Sequence, residues 1–222
     1  MRDTFALDKQ GDHSLVVASD RASIFDFVLP CFIPQKGEVL TAMTIFWLTE
    51  VLYEYVNHLV AYGTEIDIFL PEHLQGNEEL YRHAMVVENV DIRKVEAVVR
   101  GHLTGSGWKS YQKDGTVCGH VLPPGLQDGA KLPEPIFTPT SKEEIGHDEP
   151  MNFETVNVLY PWMSQIALDI FSTASEYAAN RGLLIADTKF EFGDDGILAD
   201  EVLTTDSSRI WSLEAWKQAQ IQ

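Results

Sequence analysis

The sequence predicts an α+β protein on a mainly antiparallel sheet, and three observations carry that prediction. Strand-like runs and one long helix come first, then a long Gly- and Pro-rich stretch, a second helix, and strands again. That order fits an antiparallel sheet better than a doubly wound parallel one. Residues 184–192 and 197–201 are two strand-like runs joined by the turn Gly193-Asp194-Asp195-Gly196, the pattern of a hairpin. At 222 residues, with 45% hydrophobic and 23% charged side chains, the chain is long and apolar enough for a substantial globular core.

Residues 15–18 (Leu-Val-Val-Ala) form a short apolar strand that runs into Ser19-Asp20-Arg21. Pro30 and Pro34 bracket a loop, and Lys36-Gly37-Glu38 leads into a predicted helix of about 20 residues. Its stripe of Leu40, Met43, Phe46, Trp47, Val51, Tyr55 and Leu59 recurs at helical spacing and reads as core, and Gly63 closes it. Residues 64–70 and 84–100 read as strands, the second broken near Glu88-Asn89. From 101 to 150 Gly and Pro abound and no period is visible, so a long, functional loop is expected. A helix over about 161–181 follows, with Gly182 as its C-terminal cap. No repeat or low-complexity segment is present.

Sixteen basic against 34 acidic side chains give a formal charge of −18. Such a field opposes nonspecific binding to nucleic acid and to anionic membranes, while leaving room for a phosphorylated small molecule held by a few local cations. Cys31 and Cys118 are too few for a disulfide framework and lack metal-ligand spacing. The first residues have no signal-peptide core, and the most hydrophobic stretch, 39–62, is interrupted by Glu50, Glu54, Asn57 and His58. A cytoplasmic protein without a membrane span is expected.

Residues 184–193, LIADTKFEFG, concentrate the chemistry. On a strand, alternate side chains share a face, so Asp187, Lys189 and Glu191 fall on one side, opposite Ala186, Thr188, Phe190 and Phe192. The hairpin brings Asp200 near Glu191, and two carboxylates at about 7 Å repel by roughly 2 kcal/mol at an effective dielectric near 20. Two readings stand: a divalent cation held by these carboxylates, or a solvated polar strand face. Ser23 and Asp26 either orient an amine or cap a turn. Arg100 beside Gly105-Ser106-Gly107 is either an anion clamp or a plain turn, and it lacks the dinucleotide-binding glycine spacing. Asp206-Ser207-Ser208-Arg209 is a second candidate clamp. His147-Asp148-Glu149 either binds metal or substrate or is a surface turn.

Taken together, these segments resemble the SAICAR synthase (phosphoribosylaminoimidazole-succinocarboxamide synthase) family of purine biosynthesis. The matching stretches run in order along nearly the whole chain: SDRASIFD (19–26), KGEVLT (36–41), VVRGHLTGSGW (98–108), TVCG (116–119), KLPEPIFTPTSK (131–142) and GHDE (146–149). LIADTKFEFG (184–193), ILADEVLT (197–204) and DSSRIW (206–211) complete the series.

The resemblance implies an ATP-dependent carbon–nitrogen ligase that joins L-aspartate to the carboxylate of carboxyaminoimidazole ribotide (CAIR). The alternatives are the same chemistry on another carboxylate, or a catalytically impaired nucleotide-binding relative. It implies a small antiparallel β ATP-binding lobe, residues 1–95, and a larger α+β substrate and Mg²⁺ lobe, residues 96–222, with the nucleotide in the cleft between them. Lys189, Arg100 and Asp26 are the implied catalytic residues; Arg2, Glu191 and Asp200 the ATP-binding ones; and Glu191 with Asp200 the Mg²⁺ ligands. Ser23, Arg100, Ser106, Asp148, Asp206 and Arg209 are the implied substrate contacts, and a homo-oligomer is implied as well. Family members open with a Gly-Lys-x-Arg/Lys-Asp/Glu lip over the ATP phosphates, whereas this sequence begins Met1-Arg2-Asp3 and stops soon after DSSRIW. A lost charge-assisted phosphate contact is worth roughly 1.5–3 kcal/mol, which weakens ATP binding without abolishing it. Thr205 and Ile24 stand where the family commonly has Pro and Ala.

Overall fold

A four-stranded antiparallel sheet organises the first of two units, Met1–Asp91. The computed structural model describes residues 1–7, 11–24, 27–142 and 149–220. The unit's elements are β1 (Arg2–Ala6), β2 (His13–Ala18), β3 (Arg21–Ile24), β4 (Phe27–Phe32), α1 (Lys36–Phe46), β5 (Leu59–Tyr62), α2 (Glu78–His83) and β6 (Ala84–Glu88). The sheet order is β1-β2-β6-β5, and β3 pairs with β4 separately. Leu15, Ala61, Ile66, Leu70, Ala84 and Val86 form one core cluster.

Two of the sequence motifs meet here for a structural reason. Asp20 accepts from the Gly37 backbone N–H at 2.9 Å and from that of Gln35 at 3.1 Å, satisfying free donors at the start of α1. A Cβ on residue 37 would lie 2.4 Å from the Ala18 carbonyl oxygen, so only glycine lets the helix start this close to β2.

The first helix is shorter than its apolar stripe predicts. It ends at Phe46, and a π-type turn, Trp47–Val51, follows. Of the stripe, Leu40 and Trp47 are buried and Met43, Phe46, Val51, Tyr55 and Leu59 only partly so, while Leu48 and Leu52, outside it, are buried as well. Beyond them the Asn57 side chain donates to the Tyr55 carbonyl and accepts from the Leu59 N–H, bonds that compete with helix. The run after it, Leu59–Tyr62, is taken up as edge strand β5 on β6. Residues 64–70 are likewise not a strand: Gly63–Ile68 is a 3₁₀ turn that starts at a left-handed Gly63 (φ +57°). Asp67 in this turn is tied down by the Tyr81 hydroxyl at 2.5 Å and the Gly76 N–H.

The second unit, Ile92–Gln222, is built on a six-stranded antiparallel sheet. Its elements are β7 (Val95–Leu103), α3 (Gly105–Asp114), β8 (Thr116–Val117), β9 (His120–Val121), β10 (Ala130–Phe137), β11 (Thr140–Ser141) and α4 (Phe153–Leu159). They continue with α5 (Met163–Ala179), β12 (Leu183–Phe192), β13 (Leu198–Ala199), β14 (Ser208–Ser212) and α6 (Leu213–Ala219). The order is β10-β7-β12-β13, with β11 added to β7 and β14 to β12. Helix α5 buries Ala167, Ile170, Phe171 and Ala174 and packs on β12 and β7. Gly182 (φ +75°) follows it in the left-handed conformation expected of a C-terminal cap.

The expected long loop over 101–150 is largely structured. Its prolines misled the reading because β10 carries Pro133 and Pro135 inside a register shift between Lys131 and Ile136, where no ladder N–H is needed. Helix α3 has too few apolar residues to show a period. Among the described residues no helix is long and apolar enough to cross a membrane.

His102 on β7 is a buried imidazole with neither ring nitrogen hydrogen-bonded among the described residues. Trp211 and Trp216 stand edge-on to it at 5.9 and 5.1 Å. Burial, with the charge of Lys131, pushes its pKa down to about 4. The folded state therefore binds fewer protons than the unfolded chain, and stability is lost as pH falls from about 6.5 towards 4. Unfolding free energies measured across that window should drop by roughly 2–4 kcal/mol more in the native protein than in His102→Phe, which lacks the titrating ring.

Candidate active site

Arg100 and Asp187 face each other across the central strands β7 and β12, where their Cα atoms pair directly. The Arg100 Nη1 donates to Asp187 Oδ2 at 2.7 Å, and both side chains are almost wholly buried. The rest of the guanidinium is also engaged: Nε donates to Thr138 Oγ1 at 3.0 Å and Nη2 to Ser106 Oγ at 2.9 Å. Arg209, on β14 opposite Asp187, donates through Nη1 to the same Oδ2. One buried carboxylate thus holds two guanidiniums. Burial works against the Arg100 charge and lowers its pKa, Asp187 opposes that, and Arg209 adds to it. Both arginines stay cationic, since a guanidinium does not deprotonate in proteins.

The glycines of the Gly105-Ser106-Gly107 motif serve these arginines. Gly105 has φ +58°, and a Cβ there would stand 2.7 Å from Arg209 Nη2; one on Gly107 would stand 3.2 Å from Arg100 Cδ and Nε. The motif makes room for two guanidiniums against the first turn of α3, whose free N–H groups add partial positive charge beside Ser106.

Lys189 lies two residues along β12, its Nζ donating to Glu96 Oε1 at 2.8 Å. Its own burial disfavours the charge, but the Glu96 hydrogen bond and the charges of Glu96, Glu191 and Asp200 hold its pKa above the usual lysine range. It is a fixed ammonium rather than a base. Arg100, Ser106, Lys189, Asp206 and Arg209 all line one cavity of about 440 Å³, together with Glu96 and Asp187.

Further along the strand, Glu191 is 5% exposed and ion-paired to Lys142. Its Cα pairs with Ala199 on β13, which brings the following residue, Asp200, close as the hairpin reading expected. Burial raises the Glu191 pKa, Asp200 raises it further, and Lys142 and Lys189 pull it back. The Asp200 backbone is left-handed (φ +62°), a conformation that aspartate tolerates better than most side chains. These facts count against the solvated-face reading: β12 is an interior strand, Asp187 and Glu191 are buried, and only Lys189 is partly exposed. No group of three or more His, Cys, Asp or Glu suited to a metal ion occurs among the described residues. Two carboxylates suit Mg²⁺, which is commonly held by one or two carboxylates with waters and substrate phosphates as the other ligands.

Arg2 on β1 and Ser23 on β3, the latter exposed, belong to the first unit. Asp26 and Asp148 lie outside the described residues. Asp187, Glu96, Thr138 and Lys142 are participants to which the sequence reading gave no role. Glu96 and Arg100 did carry a signal, as charges at strand spacing in the otherwise apolar run 95–99.

Fold and cavity together define an α+β protein whose antiparallel sheet carries a cavity lined by a buried arginine, two partly exposed cations and three carboxylates. The chain belongs to the SAICAR synthetase family, whose sequence profile matches residues 1–222. It is 45% identical over 227 residues to the phosphoribosylaminoimidazole-succinocarboxamide synthase of Halorhodospira halophila, covering 98% of this chain and 75% of that protein. It is 44% identical to the enzyme of the same name from Saccharopolyspora erythraea, over 100% of this chain and 74% of that one. The SAICAR synthase of Saccharomyces cerevisiae, solved in complex with SAICAR, superposes with a TM-score of 0.86 at 37% identity, covering 96% of this chain and 74% of that one.

Removing the shared carboxylate should expose how much the site depends on it. Asp187→Ala leaves a buried guanidinium without its counter-ion and should cost about 3–5 kcal/mol in chemical denaturation. Loss of under about 1 kcal/mol would mean the fork is not a structural necessity.

Proposed function

We infer that this protein is an ATP-dependent ligase of purine biosynthesis that joins L-aspartate to the carboxylate of CAIR, giving SAICAR, ADP and phosphate. Membership of the family supports the activity, and the Arg100–Asp187–Arg209 fork beside Ser106 and Lys189 is the single observation that fits it to particular residues. The CAIR carboxylate takes the γ-phosphoryl group of ATP to form an acyl phosphate and ADP. The amine of aspartate then attacks the acyl carbon, phosphate leaves, and the amine gives up a proton as the amide forms.

Arg100, Ser106 and Arg209 hold the anionic groups of CAIR, two of them already oriented by Asp187 before substrate arrives. Preset donors of this kind spare the reaction the entropy of aligning carboxylate and phosphoryl group. Lys189, fixed as an ammonium, stabilises negative charge on the transferring group and accepts no proton from the amine. Glu191 and Asp200 would hold a Mg²⁺ ion, whose charge would offset that of the ATP phosphates. Lys142, now paired with Glu191, is the cation that such an ion would displace. Arg2 is assigned to ATP, and Ser23, Asp26 and Asp148 to the aspartate side, on the family likeness alone. A cytoplasmic location and a homo-oligomeric state rest on the same likeness.

ADP release should require ATP, Mg²⁺, CAIR and aspartate together, each omitted in turn, with the succinocarboxamide appearing as product. Release independent of CAIR or aspartate would reject the ligase reading. Within an active protein, Arg209→Ala should raise the KM for CAIR by about 10- to 150-fold, the worth of a charge-assisted hydrogen bond. Glu191→Ala and Asp200→Ala should abolish Mg²⁺-dependent turnover while leaving CAIR binding in the absence of metal intact. Unchanged turnover in both carboxylate variants would remove the metal assignment.

A further inference from the structure

A second cavity of about 530 Å³ lies in the Ile92–Gln222 unit and shares no lining residue with the anion site. Strands β7, β10 and β12 and helices α5 and α6 contribute to it. Its walls are mostly apolar, with Leu132, Pro133, Phe171 and Trp216 among them. Its size and lining are those of a small-molecule site.

Two buried polar groups in it are unused. Among the described residues, His102, 5% exposed, has no hydrogen-bond partner for either ring nitrogen, and the Ser175 Oγ on α5 has none either. Buried polar atoms are nearly always partnered, so an unpaired imidazole lining an open cavity calls for a ligand. Neutral because burial depresses its pKa to about 4, the ring offers one N–H donor and one lone pair. Charge at the rim favours an anion. Lys131 stands directly opposite His102 in the β10–β7 pairing, and Lys217 on α6 joins it, against a single carboxylate, Glu176. On a chain of formal charge −18 that is a local excess of positive charge. Flat walls favour an aromatic body: Phe171 and Trp216 line the cavity, and the two tryptophans frame His102 edge-on.

We propose that this cavity is a binding site for a small aromatic or heteroaromatic monoanion, its ring between Phe171 and Trp216, its acidic group at Lys131 and Lys217, and a polar atom on His102. The site stands independently of the ligase reading. It lies one position along β7 from Arg100 and two along β12 from Asp187, so it shares the strands that carry the anion cavity without sharing its residues.

Indole-3-acetate is the probe, with indole-3-ethanol as its uncharged counterpart, each titrated into the full chain by calorimetry and by NMR of the histidine ring signals. Saturable binding of indole-3-acetate on the order of 0.1 mM is expected, a figure typical of a ligand this size. The His102 ring signals should shift with it, and indole-3-ethanol should bind at least about tenfold more weakly. Lys131→Met combined with Lys217→Met changes only exposed rim residues and should weaken indole-3-acetate about tenfold. His102→Phe, which keeps the ring shape but offers no hydrogen bond, should do the same. Because the lysine variant leaves the core untouched, the test survives even if His102→Phe fails to fold. No saturation by about 5 mM, or equal affinity in the lysine variant, would overturn the proposal. So would sedimentation showing that a second copy of the chain occupies the cavity.

Discussion

Everything in the anion site depends on one carboxylate. Asp187 sits on a strand hydrogen-bonded on both sides, to β7 and to β14, and each neighbour sends it an arginine. Two guanidiniums side by side repel, and without a shared counter-ion they would turn apart towards water. The buried Asp187 makes their proximity tolerable and leaves a residual positive charge facing the cavity. The same demand explains features that look unrelated. Gly105 and Gly107 give the guanidiniums space, Thr138 accepts from the Arg100 Nε, and Ser106 accepts from its Nη2. Neutral hydroxyls at those positions satisfy Arg100 without cancelling its charge, as further carboxylates would.

The second half of β12 uses the opposite arrangement. Side chains at alternate strand positions are about 6.6 Å apart, so Asp187, Lys189 and Glu191 present carboxylate, ammonium and carboxylate along one face. Around Asp187 cations outnumber anions, while at Glu191 a second carboxylate, Asp200, crowds a site that Lys142 only partly neutralises. One end of the strand therefore gathers positive charge and the other negative. Lys189, held to Glu96 from behind, separates them and keeps the opposite charges from collapsing onto each other.

Much of this was legible in the sequence because a strand's period is short and its charges conspicuous. Asp187, Lys189 and Glu191 could be put on one face, and Asp200 beside Glu191, by counting alone. Burial could not be read, since alternating charge looks the same on a solvated edge and on an interior strand. That distinction came from β7 and β14 flanking β12, pairings between segments far apart in the chain. The role of Asp187 was hidden for the same reason, as its partners lie 87 and 22 residues away. The long first helix failed where local propensity lost to a sheet edge: residues 59–62 suit either state, and β6 offered them hydrogen bonds. The expected loop failed because proline was taken as a breaker, although a strand accommodates it at a bulge.

The conserved-looking motifs also divide by what they do. SDRAS and KGEVLT resemble family signatures, yet Asp20 and Gly37 within them are occupied in starting α1 against β2, a task of architecture. The glycines beside Ser106 make room for arginine side chains. Backbone N–H groups alone would bind an anion at a fixed distance from the turn, whereas guanidiniums laid over glycine carry the donors out into the cavity. This places full charges, not partial ones, at the cavity. For a chain with 34 acidic and 16 basic side chains, that difference is decisive, because weak dipoles would not offset the repulsion an anion meets on approach.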